Sequence, residues 1–400
     1  MFHRYLVPNN RTCRNSPNPT VMIRRRRRRR PSSPAEALPD DILREILLRL
    51  PPHPSSLHRV GLVCKQWQRL STDANFISRF HAHHRTPPLL GYFAFPGTFV
   101  PTQVPPCPMP PTLCSLYHWY RERGVYWRGL LDCRRGHLLI GATRLFKFRF
   151  VITEFTVFNP MSGVSVCNVT TEPQPGKLIA AAVVVVAGGT NGYSFRLIAL
   201  FSNYQERRLS ASVYSSDSGV WVNSVMALVT PSPIDTIDHP STLVGNAIYW
   251  LPDGGEILQF DMERLSLAII EQPPHVDVNR PRRSEGFRRW IVPSLRDGHF
   301  GLAILSGNSI HFWVRKTEIS NATTWELCKS VQLDRVLPLE LKEEHMPSPL
   351  MIGFAEESNA IFISTHDGVF MTNIESMKIK KLPITSDQEY CIYIHPYSSF

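Results

Sequence analysis

From about Gly129 onward the chain is written as short apolar runs separated by turn residues, and this punctuation constrains the fold more than any other feature. The runs include HLLIGA (137–142), FTVFNP (155–160), LIAAAVVVVA (178–187), FRLIALF (195–201), SASVYSS (210–216), AIYWL (247–251), ILQFDM (257–262), LSLAII (265–270), FGLAIL (300–305), SIHFWVR (309–315), WELCKSVQL (325–333), LMIGFA (350–355), AIFISTH (360–366) and GVFMTNI (368–374). Between them stand Asp217-Ser218-Gly219, Gly245-Asn246, Asp253-Gly254-Gly255, Gly307-Asn308 and Asp367-Gly368. Such residues bond their own backbone or tolerate positive φ, so they read as hairpin turns. No long helical pattern interrupts the runs; Leu339–Glu344 has room for a single turn. A strand–Gly-Asn–strand unit recurs at Leu243–Leu251 and Ala303–Val314, a strand–Asp-Gly–strand unit falls at 361–374, and Trp221, Trp250, Trp313 and Trp325 sit late in their runs. Repeated hairpins with periodic glycine and aromatic signals predict a β-propeller, of about six blades at roughly 40–45 residues each. A pair of β-sandwiches is the alternative.

Ahead of this lies a helical stretch, Leu38 to Phe80. Pro39 stands where a first-turn proline is tolerated, and Asp40 and Asp41 put negative charge at the positive end of a helix dipole. Ile42, Leu43, Ile46, Leu47 and Leu50 then recur at helical spacing, until Pro51 and Pro52 stop the helix. Ser55 or Ser56 is the expected cap of a second helix, on which Leu57, Val60, Cys64 and Trp67 form one stripe. A third short helix carries Phe76, Ile77 and Phe80. Three helices in about forty residues cannot bury a sufficient core alone. Their apolar surface must pack on the rest of the chain or on a partner's helices.

The LP start, the RLP closing the first helix, the VCKQW core and the final NFISRF together resemble an F-box. That resemblance implies docking on the Skp-type adaptor of a cullin–RING ubiquitin ligase. The implied adaptor contacts are Leu38, Pro39, Ile42, Leu47, Leu50, Pro51, Leu57, Val63, Cys64 and Trp67, with Trp67 and Cys64 the first to be reassigned to the helical core. The later segment resembles the F-box-associated β-propeller-like domains of large plant F-box families. LLDCRRGHLLI (130–140), FTVFNPMSG (155–163), VYSSDSGVW (213–221), LVGNAIYWL (243–251) and ILQFDMERLSLAII (257–270) carry it, together with HFGLAILSGNSIHFWVRK (299–316) and the stretch 352–382. Order and spacing give the likeness its specificity; WD and Kelch blade signatures are absent. The implied organisation is a multidomain chain: a disordered Arg/Pro-rich leader (1–37), a small α-helical F-box (38–80), a Pro-rich linker (81–128) and an all-β propeller-like, substrate-binding domain (129–400). The implied function is the substrate-recognition subunit of an SCF-type E3 ubiquitin ligase. The alternative is a non-catalytic propeller scaffold outside any ubiquitin ligase.

Charge excludes little beyond this. The net charge of +11 is local, because residues 1–30 hold ten arginines and no acid, which leaves 34 basic residues against 33 acidic ones. A body so near neutral carries no electrostatic footprint for nucleic acid. The run Arg24–Arg30 reads either as a nuclear-localisation or anion-binding tract or as a solvated tail. Eight cysteines form no C-x-x-C pair, so neither zinc nor a disulfide framework is expected, and a reducing nucleus or cytoplasm is the simpler setting. MFHRYLVPNN lacks a signal-peptide core, and Leu178–Ala187 is half a membrane span. His81, His83 and His84 have the wrong spacing for a closed metal site. No nucleophile elbow or P-loop occurs; Glu343-Glu344 and Glu356-Glu357 read as solvated faces or loops, and Asp132, Glu154 and Asp261 cannot be paired from sequence. No cofactor, no membrane and no active site are therefore expected. A propeller hydrolase would need acids or histidines converging in a pocket.

Overall fold

The computed structural model describes residues 38–400 apart from 95–96, 103–126, 147–148, 162–163, 171–175, 188–192, 232, 236, 238, 253–255, 274–288, 295–299, 318–322, 338–348 and 384–392. The leader with its arginine run, the prolines at 105–111, Asp253-Gly254-Gly255 and Leu339–Glu344 lie outside the described residues.

Four helices open the described chain: α1 (Asp40–Leu48), α2 (Pro54–Gly61), α3 (Lys65–Ser71) and α4 (Ala74–His84). The stripe expected to run from Leu57 to Trp67 on one helix is split in two. Leu62 and Val63 donate to the carbonyls of Arg59 and Val60, tightening the end of α2, and Cys64 in an extended conformation starts α3. Neither Ser55 nor Ser56 caps α2. Pro54 opens it, with His53 at the N-cap, because a proline's missing amide is harmless in a first turn. Asp73 caps α4 by accepting from the Asn75 amide at 3.3 Å. Leu43, Leu47, Leu48, Val60, Leu70, Phe76 and Phe80 form the helical core, with Leu50, Leu57 and Trp67 packed against it.

The strands follow. β1 (Leu89–Ala94) and β2 (Thr98–Pro101) come first, then five four-stranded antiparallel sheets. The first is β3 (Trp127–Arg134), β4 (His137–Phe146), β5 (Arg149–Asn159) and β6 (Val164–Thr170). The second is β7 (Lys177–Ala187), β8 (Tyr193–Asn203), β9 (Arg208–Ser215) and β10 (Val220–Val229). The third is β11 (Thr242–Val244), β12 (Ala247–Trp250), β13 (Ile257–Asp261) and β14 (Ser266–Ile270). The fourth is β15 (Arg289–Pro293), β16 (Phe300–Ser306), β17 (Ser309–Thr317) and β18 (Thr323–Gln332). The fifth is β19 (Leu350–Ala355), β20 (Ala360–Thr365), β21 (Gly368–Asn373) and β22 (Ile379–Lys381). Last, β23 (Ile394–Ser398) returns to pair antiparallel with β1, Tyr92 opposite Pro396 and Phe93 opposite His395. The sixth sheet, ordered β2-β1-β23, is thus built from both ends of the domain.

The result is a six-bladed propeller. Around its axis β3 contacts β7, β11 contacts β15, β15 contacts β19, and β23 contacts both β19 and β3. Six hydrophobic clusters fill the six gaps between consecutive blades. Leu139, Phe155 and Val183 lie between the first and second, Ile198 and Trp250 between the second and third, and Tyr249 and Leu302 between the third and fourth. Phe312 and Phe370 lie between the fourth and fifth, Tyr92 and Phe362 between the fifth and sixth, and Phe93 and Phe158 between the sixth and first. Each sheet is covered on both faces, which is why a strand such as β7 reads as a continuous apolar run and not as an alternation.

The structure corrects the expected linker at 81–128. Helix α4 extends to His84, and the segment continues directly into β1 and β2, so the propeller begins at Leu89. The prolines masked those strands: Pro96 lies between them and Pro101 ends β2, the outer strand of its sheet, where a missing ladder donor costs nothing.

Candidate functional site

Two features stand out once packing is accounted for: an apolar face on the helices that no other described element covers, and a charged cluster in the middle of the ring.

The apolar positions of α1 divide into two sets. Leu43, Leu47 and Leu48 point into the helical core, while Ile42 and Ile46 remain 52% and 45% exposed. Leu62 and Val63, in the tight turn between α2 and α3, are 74% and 54% exposed, and Leu38 also faces outward. Hydrogen bonds tie the start of α1, beside Ile42, to α3, which follows Leu62 and Val63. Gln66, near the start of α3, donates to the Leu38 carbonyl at 3.0 Å and to Asp40 Oδ1 at 2.8 Å, and Arg69 donates to Asp40 Oδ2 at 2.6 Å. Of the ten implied adaptor contacts, Leu38, Pro39, Ile42, Pro51 and Val63 are exposed. Leu50, Leu57, Cys64 and Trp67 are half-buried. Leu47 is 1% exposed and is spent on the helical core. Ile46 and Leu62 belong to the exposed set although they were not among the ten; the tight turn that turns Leu62 outward was hidden inside the predicted stripe.

The second feature was read quite differently from sequence. Glu356-Glu357, taken as a solvated pair, and Asp132, left without a partner, meet at the centre of the propeller around Arg134, which is 4% exposed. Arg134 pairs with Asp132 and contacts both Glu356 oxygens from Nε, at 3.2 and 3.0 Å. Its Nη2 also donates to Glu356 Oε1, to the Ser241 carbonyl and to Ser241 Oγ at 3.0, 3.0 and 3.1 Å. Asp132 accepts from the Val183 amide at 2.8 Å, and Glu356 accepts from the Leu243 amide at 2.6 Å. One guanidinium thereby ties β3 to β7, to the entry of β11 and to the exit of β19. Asp132 and Arg134 are two apart on a strand and so share a face, a sequence signal that would have linked them. Nothing local marks Glu356.

The electrostatics follow from burial. Burial pushes the Asp132 carboxyl up to about 6, and Arg134 restrains the shift. Burial works against the charge on Arg134, yet Asp132 and Glu356 outweigh it and hold the guanidinium firmly protonated. Burial, and then neighbouring Glu356, lift Glu357 above the usual carboxylate range. Burial also holds His395 and His239 down at about 3, so both rings are neutral near pH 7. The cluster lines a small cavity together with Ser241, Trp290 and His395. No group of three or more His, Cys, Asp or Glu side chains among the described residues is arranged to hold a metal ion, and no described helix is long and apolar enough to cross a membrane.

Comparison with known proteins bears on both features. Residues 35–82 match the F-box-like family model, and residues 129–399 match the family described as F-box protein AT5G49610-like, beta-propeller. No curated protein sequence matches the chain. Among solved structures, the complex of the fission yeast SREBP–SCAP binding domains is similar at a TM-score of 0.34, with 13% identity over 76% of each chain. Saccharomyces cerevisiae Sqt1 is similar at 0.33, with 8% identity over 67% of this chain and 66% of that one. BBS1N in complex with ARL6DN gives 0.32, with 10% identity over 66% and 67%. Likenesses this weak add nothing to the family match.

Proposed function

Since the chain belongs to the F-box proteins of the AT5G49610-like β-propeller family, we propose that it is the substrate-recognition subunit of an SCF-type (Skp–cullin–F-box) E3 ubiquitin ligase. The helical unit holds the Skp-type adaptor, and through it the cullin–RING assembly, while the propeller holds a protein target for ubiquitination. The chain performs no bond chemistry of its own in this reading. The observation that carries it is the outward-facing set Leu38, Ile42, Ile46, Leu62 and Val63, within a segment that matches an F-box. Large apolar side chains left uncovered on a small helical bundle are the mark of a surface made for another protein. A nuclear or cytoplasmic location accompanies the proposal; the described cysteines, Cys64, Cys133, Cys167 and Cys328, are all unpaired, which suits a reducing compartment.

The experiment is adaptor capture and target turnover with one set of variants. The intact chain is expected to co-purify with a Skp-type adaptor and to shorten the half-life of its target. A version lacking residues 38–80 is expected to hold the target and leave it unmodified. Equal destabilisation of the target by the truncated and intact chains would replace this reading with that of a scaffold working outside a ubiquitin ligase.

A further inference from the structure

The helical unit and the propeller meet at a junction that is strained locally and held by residues remote in sequence. Their cores are separate: the helical cluster and the six clusters of the ring have no residue in common. The chain crosses between them after α4, where the Arg85 amide donates to the His81 carbonyl at 2.9 Å and closes the helix. Arg85 itself has φ 61° and ψ −48°, and the Thr86 amide donates back to the His84 carbonyl at 2.6 Å. A bond from one residue to the next but one, around a centre of positive φ, makes a γ-turn of the rare and strained hand. Such a backbone persists only where its surroundings over-determine it. Arg85 and Thr86 are exposed, so packing of their own side chains does not hold the turn. The support comes from the last residues of the ring. Ser398 pairs with Leu89, and the Ser399 amide donates to the Pro88 carbonyl at 3.2 Å. Ser399 is also packed against the turn at Gly136, where an added Cβ would lie 2.7 Å from its Oγ. From this firm base Phe400 reaches α4, and its ring stacks on His81 with centroids 4.4 Å apart and 16° between the planes. Both rings are half-buried and neither belongs to any of the seven clusters. The stack therefore serves the junction and not either core.

We propose that the His81–Phe400 stack is a latch across a strained hinge at Arg85. Closed, it fixes the helical unit against the ring; open, it lets the turn relax and the helical unit swing as an arm. The inference goes beyond the receptor reading and rests on it only for what the arm carries, an adaptor whose reach toward a bound target the latch sets. The test is amide hydrogen exchange on the full-length chain, read by mass spectrometry in peptides spanning 81–90. Phe400→Ala and His81→Ala are each expected to speed exchange there by about two- to tenfold, the range that an aromatic pair supports. Exchange in β3 to β22 and the melting temperature are expected to hold, since neither side chain is part of a core. The double variant is expected to go no further than either single one, because both changes remove the same contact. Phe400→Tyr keeps a stacking ring and is expected to exchange like the parent. Unchanged exchange in either alanine variant, full additivity in the double, or Phe400→Tyr as fast as Phe400→Ala would overturn the latch. So would faster exchange spread through the ring, which would make Phe400 a support of the propeller alone. Adaptor capture from the same preparations separates the two readings. Adaptor held with flat exchange sinks only the latch; the expected exchange pattern without adaptor sinks only the receptor assignment.

Discussion

Replacing Arg134 by methionine is the severest single test of how the ring is held together. The side chain is buried, and its polar contacts reach three other blades through Val183, Ser241 and Glu356. Methionine keeps much of the apolar stem and removes the charge, so the loss is electrostatic and not a large cavity. It leaves Asp132 and Glu356 facing one another without a cation. Removing one partner of a buried ion pair costs about 3–5 kcal/mol, because the remaining charge has lost both water and its counter-ion. At roughly 2–4 °C per kcal/mol for a domain approaching this size, the melting temperature at pH 7.5 should fall by about 6–20 °C. The loss should shrink at pH 5.5. Asp132 already titrates near 6 with Arg134 present, and without it the carboxyl will accept a proton still more readily. A double variant, Arg134→Met with Asp132→Asn, should recover a good part of the loss. Urea and thermal unfolding at both pH values measure all of this. A single variant that loses less than about 1 kcal/mol, or one whose loss is the same at both pH values, would show that the cluster is not a lock and that the reasoning from burial is wrong.

The remaining expectations concern other parts of the chain. Ile42→Asp, on the outer face of α1, should abolish adaptor capture with little change in melting, whereas Leu47→Asp should unfold the helical unit by burying an unpaired charge; capture undiminished in Ile42→Asp removes that face from the interface. Acid stability should be governed by His239 and His395. Their folded pKa of about 3 lies below the unfolded 6.5, so the unfolded chain takes up protons first and stability falls as pH drops from 6.5 toward 3. Asp132, raised from 3.8 to about 6, and Glu357, also raised, act oppositely, but His81 and His137 are lowered as well and add to the two histidines. Replacing both histidines by glutamine should therefore flatten the stability profile, read from urea midpoints. Gly353→Ala should destabilise the seam between β19 and β23, since an added Cβ meets the Ile394 side chain. A loss of about 1–3 kcal/mol is expected for overpacking, and a neutral result would mean the seam adapts.

What could be read in advance follows physical lines. Strands covered on both faces and joined by a tight turn announce themselves: β7 is a run of apolar residues, and β11–β12 turn at Gly245, where φ is +61°. β1, β2 and β23 were illegible for the opposite reason. They are short, their sequences include Pro101 and Pro396, and the partner that makes a strand of β1 lies at the far end of the chain. On α1 the apolar face is too wide for periodicity to say which edge is core. Leu47 and Ile42 are chemically alike, and only the packing of α4 on one side decides between them. Glu356 fails the same way, because two adjacent glutamates look solvated until the third dimension supplies Arg134.

The pairing of β1 with β23 also sets a timetable. During synthesis β1 leaves the ribosome about three hundred residues before its partner, a delay of roughly 15–60 s at 5–20 residues per second. The helices ahead of it are complete from the outset and can find an adaptor while the ring is still open. Over the same interval β1 offers an unpaired strand edge, the feature most prone to wrong partners. The newborn chain therefore carries that open edge until β23 has emerged, and nascent-chain chaperones should be found on it over that interval.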